Sequence, residues 1–155
     1  GLIESGAKRL GLDCISAGVN NAKVYDEKMP KADKVLCDAP CSGLGVIRRK
    51  PEIKYKEPSD FDRLPEIQYD ILKTSAEYVK VGGTLVYSTC SILPQENEAQ
   101  IKAFLERHPE YEVWPMGAEL PEKLAAHENA CGLQMFAHRD GTDGFYVCRM
   151  RRVKA

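Results

Sequence analysis

An apolar segment followed by a rigid, cysteine-bearing loop constrains the fold of this chain more than any other feature. Residues 35–37, Val-Leu-Cys, lead into residues 38–45, Asp-Ala-Pro-Cys-Ser-Gly-Leu-Gly. The apolar segment predicts a short buried strand, and Pro40 ends it because proline has no N–H to donate to a neighbouring strand. The sequence therefore places Asp38 and Cys41 at the carboxyl end of a strand, which is where open α/β sheets bind ligands.

A second segment has the same layout. Residues 84–87, Thr-Leu-Val-Tyr, form an apolar stretch that leads into Ser-Thr-Cys at residues 88–90. Carboxyl ends of neighbouring parallel strands meet at one edge of a sheet. We therefore expect Cys90 to share a site with Cys41.

Helix and strand patterns alternate along the rest of the chain. Helical spacing of apolar residues predicts helices that begin near Leu2, at Asp60 or Asp62, and near Pro94. The second of these helices is predicted to end at residues 82–83, Gly-Gly. Strands are predicted at residues 14–16, 35–38, 84–87, 111–114, 135–136 and 145–150, and a solvated basic tail at residues 151–154. This alternation, which closes with a pair of strands, predicts an α/β sheet with an antiparallel end.

Composition predicts one domain over residues 1–155, in a chain with 43% hydrophobic residues and a net charge of −1. No apolar run reaches the length of a membrane span, so no membrane association is expected. The six cysteines show neither zinc-site spacing nor a disulfide framework, which predicts reduced thiols, a cytoplasmic location and no metal site. Four of them are predicted to be structural: Cys14, Cys37, Cys131 and Cys148.

Three ordered motifs resemble one enzyme family. Residues 38–55, Asp-Ala-Pro-Cys-Ser-Gly-Leu-Gly-Val-Ile-Arg-Arg-Lys-Pro-Glu-Ile-Lys-Tyr, resemble the signature of the Sun (Nop/Sun) family of RNA cytosine-C5 methyltransferases. Residues 87–92, Tyr-Ser-Thr-Cys-Ser-Ile, with Glu-Asn-Glu at residues 96–98, resemble that family's second cysteine motif. Residues 143–146, Asp-Gly-Phe-Tyr, resemble its closing motif, and three motifs in this order are far more specific than one.

The resemblance implies a Rossmann-like class I S-adenosylmethionine-dependent methyltransferase fold, a seven-stranded sheet with one antiparallel strand. This chain would supply the third to seventh strands, as the C-terminal portion of the catalytic domain, truncated before the first two strands and the glycine-rich cofactor loop. Residues 20–22, Asn-Asn-Ala, and Ala137 depart from the family pattern, and the chain opens on Gly1. We therefore expect an inactive fragment of the full enzyme, with self-association through an exposed sheet edge.

The same resemblance assigns the chemistry. Cys90 would add to carbon 6 of a cytosine, which makes carbon 5 able to attack the methyl group of S-adenosylmethionine. Cys41 would assist release of the product, and Asp38 would bind the N3 and amino edge of the base. Asp38 and Pro40 would also adjoin the cofactor.

The expected partner is small-subunit ribosomal RNA, because a base must be unstacked before an enzyme can modify it. Phosphate contacts are expected from the basic run that follows the first cysteine motif, namely Arg48, Arg49, Lys50 and Lys54.

Each assignment has a simpler alternative. A cysteine at a strand end is often a small buried apolar residue, and Asp38 would serve equally as a turn cap. The basic run would serve as a solvated surface. At the level of the whole chain, the alternatives are a non-catalytic RNA-binding remnant of the same fold and a thiol redox protein that pairs Cys41 with Cys90.

Overall fold

Two parallel strands form the part of the sheet that carries both cysteine loops. The computed structural model describes residues 1–155. Strands β1 (Ala32–Asp38) and β2 (Val79–Thr89) pair in parallel, with Asp38 opposite Ser88. Helix α2 (Leu64–Glu77) connects them and packs against both strands. A parallel pair needs such a crossover, which brings both carboxyl ends to the same edge of the sheet.

The other half of the sheet is antiparallel. Strand β6 (Phe145–Arg152) runs antiparallel to β2 and continues the sheet. Strands β3 (Tyr111–Val113) and β5 (Gly132–Met135) pair with the two halves of β6, and β4 (Glu128–Asn129) pairs with β5. The sheet order is β1-β2-β6-β5-β4, with β3 beside β6. The predicted α/β fold with an antiparallel end is confirmed.

Four further helices and several short 3₁₀ turns complete the chain. The helices are α1 (Leu2–Leu10), α3 (Glu98–Arg107), α4 (Glu122–Ala125) and α5 (Ala137–Asp140). The 3₁₀ turns span Leu44–Val46, Pro51–Tyr55, Pro58–Phe61, Pro94–Glu96 and Gly117–Glu119. None of the helices combines the length and the apolar content that crossing a bilayer requires.

The hydrophobic core lies where α2 and α3 pack against the sheet. Alternate residues of β2 and β6 contribute to it, as strand geometry requires. Its tyrosines are hydrogen-bonded as well as packed; the Tyr111 hydroxyl, for example, donates to the Ala76 carbonyl over 2.7 Å. The buried apolar residues of this cluster are Cys37, Ala39, Leu72, Ala76, Val79, Leu85, Tyr87, Ile101, Phe104, Tyr111, Cys131, Tyr146, Cys148 and Met150.

Two sequence-based predictions about elements near the edge of the sheet are wrong. Residues 14–16, predicted to form a strand, form none, and Cys14 is exposed rather than structural. No neighbouring strand lies beside β1 on that side. Residues 82–83 lie inside β2 instead of ending a helix. Ala32 pairs with Val79 whereas Lys34 pairs with Thr84, so the residues of β2 between these two pairs form a bulge. Self-association at the β1 edge stays a prediction.

The expected basic tail is also wrong in part. Arg151 and Arg152 belong to β6. The Arg152 guanidinium donates to the Val79 carbonyl over 2.8 Å, and the Arg151 guanidinium lies 5.4 Å from the centre of the Trp114 ring. These contacts tie the end of the chain to the sheet.

A buried carboxylate, Asp140, accepts hydrogen bonds from other residues of the segment between β5 and β6. The Asp140 side chain receives hydrogen bonds from the Arg139 guanidinium, at 3.0 and 3.1 Å, and from the Phe136 N–H at 2.8 Å. His127 Nε2 lies 3.4 Å from the same carboxylate. The Arg139 guanidinium, assisted by the Phe136 N–H and His127, holds the pKa of Asp140 below its ordinary value.

We expect the stability of the chain to fall as acid protonates Asp140. Because its pKa is lower in the native state than in the unfolded chain, its contribution is fully present above about pH 4 and is lost as the pH falls through the native-state pKa. Urea unfolding of the wild type and of Asp140→Asn, each at about pH 7 and about pH 3, measures this contribution. The variant should be less stable at neutral pH and should lose less stability in acid; equal acid losses in both proteins would contradict the assignment.

Candidate active site

The two motif cysteines meet at the carboxyl edge of the parallel strands. Cys90 directly follows β2, and Cys41 lies three residues after the end of β1. Their sulfur atoms are 3.3 Å apart, within hydrogen-bonding distance, and both are free thiols. The structure therefore brings together the two thiols that the sequence placed on separate strands.

Burial distinguishes Cys41 from an ordinary surface thiol. Removal from water raises the pKa of Cys41, and the neighbouring Cys90 sulfur raises it further through their hydrogen bond and their charge interaction, to about 12. Cys41 is therefore a neutral thiol at neutral pH and can donate its hydrogen to Cys90.

Asp38 and Pro40 stand exposed beside this thiol pair. The Ser88 hydroxyl donates to Asp38 Oδ1 over 2.8 Å, across the register pair that joins the two strand ends. The carboxylate is thus held by a side chain of the neighbouring strand, whereas a turn cap would bind backbone N–H groups of its own loop. This geometry disfavours the turn-cap alternative.

Cys90 opens onto a cleft that combines apolar and cationic walls. The cleft has a volume of about 380 Å³. Its lining consists of Val46, Arg49, Lys50, Cys90 and Phe145. Aromatic and apolar side chains suit the faces of a planar ring, whereas arginine and lysine suit phosphate oxygens. Cys41 does not line this cleft, although both thiols are partly exposed.

The basic run divides into two groups. Arg49 and Lys50 line the cleft, whereas Arg48 and Lys54 do not. Arg48 and Arg49 both pair with Asp143, at 3.5 and 2.7 Å, and Lys54 lies 4.9 Å from the centre of the Tyr55 ring. The Asp143 carboxylate therefore orients Arg49, which lines the cleft, and the neighbouring Arg48, which does not.

A close backbone junction holds the three motif loops together. The Gly45 N–H donates to the Cys90 carbonyl over 2.9 Å, and the Gly144 N–H donates to the Gly45 carbonyl over 2.8 Å. A β-carbon on Gly45 would lie 2.8 Å from the Cys90 carbonyl oxygen and would overlap the Gly144 carbonyl. Only glycine fits this position, and this close backbone approach is the structural reason for Gly45.

Glu96 is the site residue whose role the sequence did not reveal. Its position near a helix start predicts a favourable interaction with the helix dipole. Instead the side chain is buried and accepts hydrogen bonds from Ser42, Ser91 and Gln68, beneath the two cysteine loops. The available signal was the serine that follows each motif cysteine, since each places a hydroxyl donor at the same offset.

Sequence comparison identifies similar proteins over nearly the whole chain. The family model described as 16S rRNA methyltransferase RsmB/F matches residues 2–151. The chain is 47% identical over 155 residues to the "Probable ribosomal RNA small subunit methyltransferase B" of Bacillus subtilis, covering 97% of this chain and 35% of the relative. It is 40% identical over 127 residues to the "Ribosomal RNA small subunit methyltransferase B" of Thermus thermophilus, covering 81% and 30%.

Structural comparison agrees. The crystal structure of NSun6 from Pyrococcus horikoshii with SFG, an S-adenosylmethionine analogue, superimposes with a TM-score of 0.82 and 25% sequence identity. The match covers 99% of this chain and 38% of that one. The chain thus spans about a third of the length of the curated relatives it matches, 35% and 30% in the two cases above.

We expect Gly45→Ala to destabilise the chain, because the added β-carbon must displace the backbone at Gly144 or at Cys90. Overpacking of this kind costs about 1–3 kcal/mol of unfolding free energy. Gly6→Ala in α1 is the matched control: its β-carbon meets no atom within 4 Å, and alanine suits a helix better than glycine. Urea unfolding of both variants makes the comparison, and equal stabilities would contradict the junction.

Proposed function

This chain belongs to the 16S rRNA methyltransferase RsmB/F family, within the Sun family of methyltransferases, and we propose that its cleft methylates a cytosine of small-subunit ribosomal RNA at carbon 5. S-adenosylmethionine is the methyl donor in this proposal, and the reaction passes through a covalent adduct between Cys90 and the base. The observation that carries the proposal is the position of Cys90, which lines a cleft with Phe145 and two cations and whose sulfur lies 3.3 Å from that of Cys41.

The position of Cys90 in the cleft lining assigns different roles to the two thiols. Cys90 lines the cleft and is the nucleophile that bonds to carbon 6 of the base, which makes carbon 5 nucleophilic. Cys41 is a thiol at neutral pH and donates a hydrogen bond that stabilises negative charge on the Cys90 sulfur.

The role of Cys41 changes once the adduct exists. Two of the three causes that raise its pKa are the hydrogen bond to the Cys90 sulfur and the charge on it. Both are lost when that sulfur becomes a thioether, which lowers the pKa of Cys41, while burial, the largest cause of the raised pKa, remains. The Cys41 thiol first loses its own proton to solvent, and the resulting thiolate takes the carbon 5 proton, which allows Cys90 to leave.

Asp38 and Pro40 are the residues of this chain that would hold the cofactor. Both are exposed at the carboxyl end of β1, and the Ser88 hydroxyl fixes the carboxylate through Oδ1. An exposed, oriented carboxylate beside a proline fits a cationic sulfonium ligand and the amino edge of a cytosine. When bound, S-adenosylmethionine supplies the electrophilic methyl group.

The cleft walls suit an unstacked nucleotide. Phe145 and Val46 provide the apolar contacts that a base plane requires, and Arg49 and Lys50 lie where phosphate oxygens would adjoin it. Arg48 and Lys54 extend the cationic surface beyond the cleft in this proposal.

We propose that residues 1–155 act as one domain, the C-terminal portion of a methyltransferase catalytic domain in a longer enzyme. The coverage of the curated relatives, 35% and 30% of their length, supports this arrangement. A non-catalytic RNA-binding role is the second outcome that the experiments below distinguish. A redox role has no support beyond the 3.3 Å separation of the two sulfur atoms.

We expect Cys90→Ala and Cys41→Ala to fail at different steps in the full-length enzyme. Without Cys90 no adduct forms, so methyl transfer to small-subunit RNA should fall at least about a thousandfold. Without Cys41 the adduct forms but is released slowly, so RNA should remain bound to the protein. Denaturing gel electrophoresis of labelled RNA detects the second species, and a radioactive methyl donor measures the first.

Cys131→Ala is the matched control for these variants, because Cys131 is a free cysteine that the site does not use. Methylation by Cys90→Ala at the wild-type rate would refute the covalent mechanism. Wild-type RNA binding with no methylation by the unaltered enzyme would establish the non-catalytic role.

We expect Arg49→Ala to weaken RNA binding through the loss of one phosphate contact. The slope of log K against log salt should decrease by about 0.7 for a single-stranded RNA. Arg9→Ala in α1 is the control, since Arg9 is exposed and lies outside the cleft. Fluorescence anisotropy across a salt series measures both, and equal slopes for the two variants would contradict a phosphate contact at Arg49.

A further inference from the structure

One buried carboxylate connects the loops of both cysteines. The Glu96 side chain is 1% exposed, and no lysine or arginine pairs with it. Oε1 accepts from the Ser42 N–H and from Gln68 Nε2, each over 2.9 Å. Oε2 accepts from the Ser42 hydroxyl over 2.6 Å and from the Ser91 hydroxyl. All four partners donate, which uses the acceptor capacity of a carboxylate well.

The donors sit next to the two thiols along the chain. Ser42 follows Cys41, and Ser91 follows Cys90. The two serine hydroxyl oxygens are themselves only 3.0 Å apart, so one carboxylate oxygen holds both loops at a common point. Because each serine is one residue from its cysteine, this point also limits how far the sulfur atoms can separate.

Gln68 links Glu96 to the residue that precedes Cys41. Its Nε2 donates both to Glu96 Oε1 and to the Pro40 carbonyl, each over 2.9 Å. The residues before and after Cys41 are therefore both tied to one hydrogen-bonded unit. Helix α2 supplies Gln68, so the unit also links the loop to a rigid element.

Packing alone gives no reason for a charge at this position. Burial of a carboxylate without a cation is costly, and apolar residues of similar volume often serve a core equally well. Directed hydrogen bonds differ from apolar packing because they fix orientation as well as proximity. A site that needs two sulfur atoms at a set separation has a use for that property.

We propose that Glu96 is a positioning residue that sets the separation of the Cys41 and Cys90 thiols through Ser42 and Ser91. Its catalytic consequence rests on the function proposed above, whereas its geometric effect on the two thiols does not. Glu96 contacts neither sulfur and lies outside the cleft lining, so it acts only through its neighbours.

Phenylarsine oxide measures the geometric effect directly on this chain. The reagent binds two adjacent thiols, forming two arsenic–sulfur bonds and releasing its oxygen as water with the two thiol protons. Its affinity depends on the effective concentration of one thiol beside the other. A Cys41→Ser variant gives the affinity for unpaired thiols, including the exposed Cys14.

Glu96→Ala should weaken arsenical binding by about tenfold or more, because four hydrogen bonds are lost and the loops separate. Glu96→Gln should lie between this variant and the wild type, since an amide keeps one acceptor oxygen while the serine hydroxyls turn to accept. Glu98→Gln is the matched control: it removes a carboxylate two residues away that is 42% exposed, and it should leave affinity unchanged.

Circular dichroism shows whether Glu96→Ala folds. If it does not fold, Ser91→Ala provides the test instead. It removes one donor, leaves the carboxylate its three other partners, and should still weaken arsenical binding. Wild-type affinity in folded Glu96→Ala, or in both Glu96→Gln and Ser91→Ala, would overturn the proposal.

Kinetics of the full-length enzyme separate this proposal from the proposed function. Glu96→Gln should lower kcat while leaving KM for RNA unchanged, because Glu96 positions the thiols and does not bind the substrate. An inactive wild type whose arsenical affinity still depends on Glu96 would refute the methyltransferase function and leave the positioning role intact. An active wild type, together with Glu96 variants that bind the arsenical as tightly as the wild type, would refute the positioning role and leave the methyltransferase function intact.

Discussion

The parallel register between β1 and β2 is the constraint on which the site depends. Pairing of Asp38 with Ser88 brings the last residues of both strands level, so the loops that follow them start from the same edge. A register shift of one residue would turn every side chain of β1 to the opposite face. Asp38 would then lose Ser88, and the core residue Cys37 would face solvent. The core and the site are therefore set by the same hydrogen-bond ladder.

The region beneath the thiols is polar, unlike the core beside it. Where α2 and α3 meet the sheet, residues such as Leu72 and Phe104 pack without hydrogen-bonding side chains. Under the cysteine loops, Glu96 and Gln68 join short segments that have no regular pairing of their own. Apolar packing suits elements that already hold their shape, whereas loops need directed bonds to hold one conformation.

Much of this arrangement was predictable from local patterns. The strand ends at Asp38 and Thr89, the loop at Pro40 and the last strand from Phe145 follow from apolar runs and from the chemistry of proline, all of which act over a few residues. Residues 14–16 were wrongly predicted to form a strand. A strand also needs a neighbouring strand to pair with, and the residues of a short segment do not show whether one is present.

The sequence by itself determined the α/β class, the two cysteine motifs and the family, because residue type and spacing along the chain carry that information. Tertiary structure alone decided that Cys41 and Cys90 lie 3.3 Å apart and that only Cys90 of the two lines the cleft. It also decided that Glu96 is buried and accepts hydrogen bonds beneath both cysteine loops. Distances between residues some fifty positions apart depend on strand register and loop path, which the whole chain sets cooperatively.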